Sequence, residues 1–189
     1  MDPTEPRLAS ELFQQLLTTM ARLRAPGGCA WDREQTFDSI KPYTLEETYE
    51  VLDAIDARDW PGLKEELGDF ILQAVFYSQM AEEAGLFKIE DALTAINSKL
   101  IRRHPHIFSD STAATADDVL RQWDQIKATE KPETKGAALL DSVSRAAPAL
   151  VEALQISSKA AGQGFDWPDL QSVLEKLNEE LAELAEARR

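Results

Sequence analysis

At 189 residues the chain is long enough for one domain or slightly more. Its 34 acidic and 20 basic residues leave a formal charge of −14. Such a surface repels nucleic-acid backbones and anionic bilayers, which excludes a nucleic-acid polymer or a membrane as a general partner. Cys29 stands alone, so an intrachain disulfide and any multi-cysteine metal site are excluded too.

Taken in order, the predicted elements are helical. The opening Met1-Asp2-Pro3-Thr4-Glu5 lacks the basic-then-apolar pattern of a signal peptide. Leu8, Leu12, Phe13, Leu16, Leu17, Met20 and Leu23 form one stripe of a first helix. Pro26-Gly27-Gly28 opens a loop that carries Cys29-Ala30-Trp31-Asp32. A second helix is expected from about Thr44 to Ala57, with Leu45, Tyr49, Leu52 and Ile55 on one side. Asp59-Trp60-Pro61 reads as a turn into a third helix, since proline suits a first helical turn. That helix runs to about Ala84, with Leu63, Leu67, Phe70, Ile71, Ala74 and Val75 facing inward, and Gly85 ends it. Its most apolar run, Phe70 to Phe76, is broken by Gln73 and is far too short to span a bilayer. A fourth helix covers Ile89 to Arg103 and stops at Pro105, and a fifth covers Asp117 to Thr129. Residues 131–142 read as a polar linker. Two further helices follow, near Pro148 to Ala160 and Pro168 to Arg188. No sustained alternation marks a strand, so the fold class is all-α. The composition points to a soluble, cytoplasmic protein.

The chemistry lies in two carboxylate pairs. Glu47 and Glu50 share a helix face at i,i+3, and so do Glu66 and Asp69 on the next helix. The pairings 47 with 69 and 50 with 66 share a midpoint at Arg58, inside the short connection. Helices joined so tightly pack antiparallel, which sets Glu47 opposite Asp69 and Glu50 opposite Glu66. Carboxylates ~5 Å apart repel by roughly 3 kcal/mol at an effective dielectric near 20, so the patch calls for a cation. All-oxygen ligands select a hard divalent ion, Mg²⁺ or Mn²⁺. No histidine lies in the cluster, which argues against zinc. Neither His104 nor His106 belongs to a Glu-x-x-His pair, which argues against a di-iron bundle. One such acidic pair would read as a solvated helix face, and Thr44-Leu45-Glu46-Glu47 alone as a capping box. Two pairs mirrored across a tight hairpin favour a site.

In so acidic a chain, Lys99-x-x-Arg102-Arg103-His104-x-His106 is the densest basic stretch. Lys99 and Arg103 share a face at i,i+4 and suit a polyphosphate. Arg102 suits a helix C-terminus equally well. His104 and His106 read as turn and packing residues. Trp31 admits two readings, stacking on a base or closing over the helical core.

Three motifs carry a resemblance over nearly the whole chain: Tyr43-Thr44-Leu45-Glu46-Glu47-Thr48-Tyr49-Glu50 with Glu66-x-x-Asp69, Arg102-Arg103-His104-Pro105-His106-Ile107-Phe108, and Trp31-Asp32-x-x-Gln35-Thr36. They resemble the MazG-type nucleoside triphosphate pyrophosphohydrolases. The resemblance implies an all-α helical bundle, dimeric or of higher order, that cleaves a nucleoside triphosphate to monophosphate and pyrophosphate with Mg²⁺. It implies Glu47, Glu50, Glu66 and Asp69 as metal ligands. Glu46 would serve beside Glu47 in catalysis, holding a water at the metal. Lys99, Arg102 and Arg103 would meet the phosphates, with Trp123, Lys127 and Trp31 near the nucleotide. Ala30 departs from the family pattern, which has proline before Trp-Asp.

The tail repeats the head at an offset of 133 residues, from Glu47 to Glu180. Gly164-Phe165-Asp166-Trp167 echoes the Trp31-Asp32 loop, and Asn178-Glu179-Glu180-Leu181-Ala182-Glu183 echoes the first acidic helix. Lys176 occupies the place of Tyr43. Residues 1–130 are thus expected to be a first repeat and 143–189 the start of a second. By the first repeat's spacing, a second acidic pair would begin near position 199, past Arg189. Lys176, Glu179, Glu180 and Glu183 therefore read as an incomplete second site. Two functions are open: control of the nucleotide pool by hydrolysis, or a non-catalytic oligomerisation and nucleotide-sensing scaffold with its catalytic counterpart beyond residue 189.

Overall fold

The computed structural model describes residues 5–109, 111–130 and 139–188, and these are helical with no strand among them. The elements are α1 (Glu5–Arg24), α2 (Ala30–Glu34), α3 (Phe37–Ala57), α4 (Trp60–Glu83), α5 (Ile89–Arg103), α6 (Pro105–Phe108) and α7 (Ala116–Glu130). After these come a 3₁₀ turn at Leu139–Ser142, α8 (Ala149–Ala161) and α9 (Leu170–Ala187). Residues 131–138 of the expected linker lie outside the described residues. The chain divides into two compact units, Met1–Trp123 and Asp124–Arg189, with the division inside α7.

In the first unit the α3–α4 hairpin is the main element, and α1 packs along α4. Only Arg58 and Asp59 connect the hairpin's helices. Arg58 takes the left-handed conformation, with φ of 56°, to end α3. Asp59 caps α4 by accepting a hydrogen bond from the Gly62 N–H at 3.1 Å.

Two local expectations are corrected. Helix α3 begins at Phe37, seven residues before the expected Thr44, because Thr36 and Ser39 form a reciprocal capping box there. Thr44 consequently lies mid-helix, where its hydroxyl donates to the Ile40 carbonyl. Pro42 sits inside α3 and lacks the N–H that would have reached the Asp38 carbonyl. The Trp31-Asp32 stretch is likewise not loop but the short helix α2.

The core is also displaced from the expected stripe. Met20, Ile40, Val75, Phe76 and Met80 are buried, with Phe13, Leu16, Leu17, Leu72 and Tyr77 packed on them. Leu67, Phe70 and Ile71 are each 44–45% exposed, as are Leu45, Tyr49 and Leu52 at 48–51%. Helix α4 is apolar around most of its circumference, and α1 covers the part that carries Val75, Phe76 and Met80. A broad apolar face of the hairpin stays open to solvent.

In the second unit, the 3₁₀ turn packs on α8, and Arg145 pairs with Glu152 at 2.6 Å. Asp169 caps α9 by accepting from the Ser172 N–H. The leucines of α9, Leu170, Leu174, Leu177, Leu181 and Leu184, are all exposed.

Candidate active site

The antiparallel hairpin carries Glu47 on α3 toward Glu66 and Asp69 on α4. Each of these three half-buried side chains presents a carboxylate oxygen within 4.8 Å of the others. The Glu47 carboxyl is pushed above the usual carboxylate range, first by partial burial and then by the charges of Asp69, Glu50, Glu66 and Glu46. Glu66 is pushed the same way, by desolvation first and then by Glu50, Glu65, Asp69 and Asp59. Glu50 is exposed and lies outside the triad, although its charge acts on both Glu47 and Glu66. Glu46, the residue before Glu47 on α3, is exposed.

The triad suits a hard cation. Oxygens sharing a Mg²⁺ ion would stand about 3 Å apart when adjacent and about 4.2 Å apart when opposite, given bonds of about 2.1 Å. The three carboxylates, within 4.8 Å of one another, would draw together by side-chain rotation to share one ion. The donors are all carboxylate oxygens, the set that Mg²⁺ and Mn²⁺ prefer. Among the described residues no other group of acids, histidines or cysteines meets the same spacing.

Glu47 also lines a cavity of about 240 Å³ between α1, α2, α3 and α4. Trp31 and Asp32 supply its α2 wall, Tyr43 comes from α3, and Gln73 and Phe76 come from α4. The Trp31 and Tyr43 rings meet edge to face, 5.9 Å apart at 79°. The Thr44 hydroxyl lies 2.9 Å from the Tyr77 hydroxyl and 3.4 Å from Gln73 Oε1. Trp31 is half-exposed, at 49%.

The basic residues lie at the end of α5, where Lys99 and Arg102 are exposed and Arg103 is half-buried. The next residue, His104, follows α5 and packs its ring edge-on against Trp123 of α7 at 5.0 Å. His104 Nδ1 lies 2.6 Å from the Leu100 carbonyl and His106 Nδ1 lies 3.0 Å from Gln122 Oε1. Lys127 is exposed one turn beyond Trp123, within the second unit. On α9, Lys176 pairs with Glu179 at 2.8 Å and Glu180 at 3.0 Å, which raises the Lys176 pKa. Glu183 is exposed one turn further along.

Sequence reasoning missed Asp32, Tyr43 and Gln73 as cavity residues. A signal was present for Gln73, the polar residue interrupting the apolar run from Phe70 to Phe76.

Residues 35–108 match the MazG nucleotide pyrophosphohydrolase domain family. The chain is 51% identical over 173 residues to a nucleoside triphosphate pyrophosphohydrolase of Escherichia coli, covering 91% of this chain and 66% of that protein. It is 47% identical over 180 residues to the nucleoside triphosphate pyrophosphohydrolase/pyrophosphatase MazG of Thermotoga maritima, covering 95% of this chain and 69% of that protein. The chain thus spans about two thirds of the length of these relatives. The crystal structure of a mazG-related protein from Thermotoga maritima superimposes with a TM-score of 0.53 at 23% identity, over 61% of this chain and 98% of that one. At that identity the likeness is one of fold.

Proposed function

Because the chain belongs to the MazG family, we propose that it hydrolyses nucleoside triphosphates to monophosphate and pyrophosphate with Mg²⁺, or Mn²⁺ in its place. The observation that carries this reading is the convergence of Glu47, Glu66 and Asp69 beside an aromatic-walled cavity. In the reaction, water adds to phosphorus and the bond to the bridging oxygen between the α and β phosphates breaks. Pyrophosphate is the leaving group.

Glu47, Glu66 and Asp69, with Glu50 beside them, would hold the cation. A bound Mg²⁺ supplies charge neutralisation at the phosphates and acidifies water. The remaining work falls to the chain's own side chains. Glu46, next to Glu47 and open to solvent, holds the attacking water beside the cation site. Lys99, Arg102 and Arg103 hold phosphate oxygens and stabilise the charge that develops as the bridge breaks. Trp31 stacks on the base, and the family pattern assigns Trp123 to the nucleotide as well. The exposed apolar face of the α3–α4 hairpin supports a homodimer or a higher homo-oligomer, since a face of that kind marks an interaction surface. The lone Cys29 fits a reducing compartment, and the action proposed is on free nucleotides in the cytoplasm. Among the described residues no helix is long and apolar enough to cross a membrane.

A scaffold reading has one specific support, Tyr43. The second repeat has Lys176 at that place, a candidate substrate contact, whereas Tyr43 is engaged with Trp31. Pyrophosphate release from a panel of nucleoside triphosphates separates the two. Hydrolysis predicts Mg²⁺-dependent release that Glu47→Ala abolishes with helix content intact. Folded protein that binds Mg²⁺ and releases nothing would establish the scaffold.

A further inference from the structure

Arg24 is the last residue of α1, and its side chain is only 8% exposed. A cation in a helix's last turn ordinarily complements the carbonyl end of its own helix and stays in water. This one turns inward and uses all three guanidinium nitrogens. Along one edge, Nε and Nη2 donate to the Glu83 carboxylate of α4 at 2.8–3.1 Å. Along the other, Nη1 donates to the Asp32 carbonyl and, at 3.3 Å, to the Gln35 carbonyl, both at the end of α2. The guanidinium plane lies over the buried Phe76 ring, 5.3 Å from its centroid. Glu83 is steadied in turn by the Gln79 carboxamide, which donates to it at 3.0 Å.

Helix α2 needs such support. It has five residues, too few to be stable alone. Its start is fixed by the turn after α1, where the Cys29 N–H reaches the Leu23 carbonyl at 2.8 Å. Its end is fixed by Arg24. Between these anchors lie Trp31 and Asp32, the α2 wall of the cavity that Glu47 also lines.

We propose that Arg24 is a positioning residue for nucleotide binding: it bridges Glu83 to the carbonyls of Asp32 and Gln35 and thereby fixes the wall that Trp31 and Asp32 present beside Glu47. The inference rests on reading that cavity as part of the nucleotide site. The planar two-edged fork is what the role requires, because an ammonium has the charge but cannot face two partners along opposite edges. A wall that is no longer pre-organised must be ordered when the nucleotide binds, which costs affinity, so the effect reaches the substrate although Arg24 does not touch it.

Arg24→Lys is the direct test, since it keeps a cation for Glu83 and loses the bridge. The full chain is labelled with 5-fluorotryptophan, and Trp31→Phe assigns the Trp31 ¹⁹F signal. Affinity is read by equilibrium binding of a non-hydrolysable α,β-methylene nucleoside triphosphate with Mg²⁺, separately from turnover. Arg24→Lys is expected to shift or broaden the Trp31 signal while leaving that of Trp60 in place, and to weaken analogue binding about 5- to 50-fold. KM rises by a similar factor, and kcat changes less. Phe13→Leu, a packing change on α1 about three turns from Arg24 and outside the cavity lining, controls for lost stability and keeps affinity within about twofold. An unmoved Trp31 signal, equal analogue affinity in Arg24→Lys and wild type, or an equal loss in Phe13→Leu would each overturn the proposal. Wild-type protein that binds no analogue would overturn the nucleotide reading itself.

Discussion

Asp69→Asn gives opposite results with and without metal, and both follow from the triad's geometry. In metal-free protein the Glu47 and Asp69 carboxylates repel across no more than 4.8 Å. At that separation the repulsion is about 1 kcal/mol with water-like screening and about 3 kcal/mol at an effective dielectric of about 20. Both side chains are half-buried and reached by solvent, so the lower figure applies. Removing one charge while keeping shape should therefore stabilise the metal-free protein by roughly 1 kcal/mol, or about 2–4 °C in Tm at this chain length. Metal inverts the order. A cation present at about a hundred times its Kd stabilises the native state by about 2.7 kcal/mol, and the variant forfeits most of that. Thermal unfolding followed by circular dichroism in EDTA and then in excess Mg²⁺ reads both effects. If Asp69→Asn were less stable than wild type in EDTA, or gained as much from Mg²⁺, the like-charge account of this site would be refuted.

The remaining predictions concern pH, the α1–α2 turn and assembly. Glu47 and Glu66 have raised folded pKa values, so the folded state holds more protons than the unfolded one across the window above about 4.3. Metal-free stability from these groups is thus full below that window and falls as pH rises through it; the advantage of Glu66→Gln over wild type should vanish below the window and grow above it, and an advantage independent of pH would contradict this. Glu83, held low by Arg24, has the opposite sign: its contribution is present above the ordinary carboxylate range and is lost on acidification. Gly28→Ala puts a Cβ 2.2 Å from the Leu23 carbonyl oxygen and 2.5 Å from that of Arg22. Rigid backbone leaves no easy relief, so a loss of about 1–3 kcal/mol with a lower Tm is expected, and an unchanged Tm would count against the packing described. Light scattering should report a dimer or larger, and Leu67→Glu on the exposed hairpin face should shift it toward monomer with helix content retained; a wild-type monomer would remove the argument for assembly.

The α3–α4 hairpin was legible because its evidence is local. A two-residue connection forces antiparallel packing, and acids three apart on each helix then fall on facing sides. The start of α3 was not legible, because Pro42 suggests a break whereas the Thr36–Ser39 box already begins the helix upstream. Nor did periodicity find the buried face of α4. With apolar residues around most of its circumference, the pattern does not say which part α1 covers, and Leu67, Phe70 and Ile71 prove exposed. Trp31 was legible as a site candidate from its motif, but its wall depends on Arg24, a residue that in sequence resembles any cation at a helix end. Gln73 and Tyr43 depend on which helices enclose the cavity, and spacing along the chain does not contain that.

The most direct test of the central claim is ³¹P NMR of the products formed from a nucleoside triphosphate and Mg²⁺. Hydrolysis between the α and β phosphates predicts resonances of nucleoside monophosphate and pyrophosphate rising together, both absent for Glu47→Ala. Nucleoside diphosphate with orthophosphate as the initial products would contradict the account.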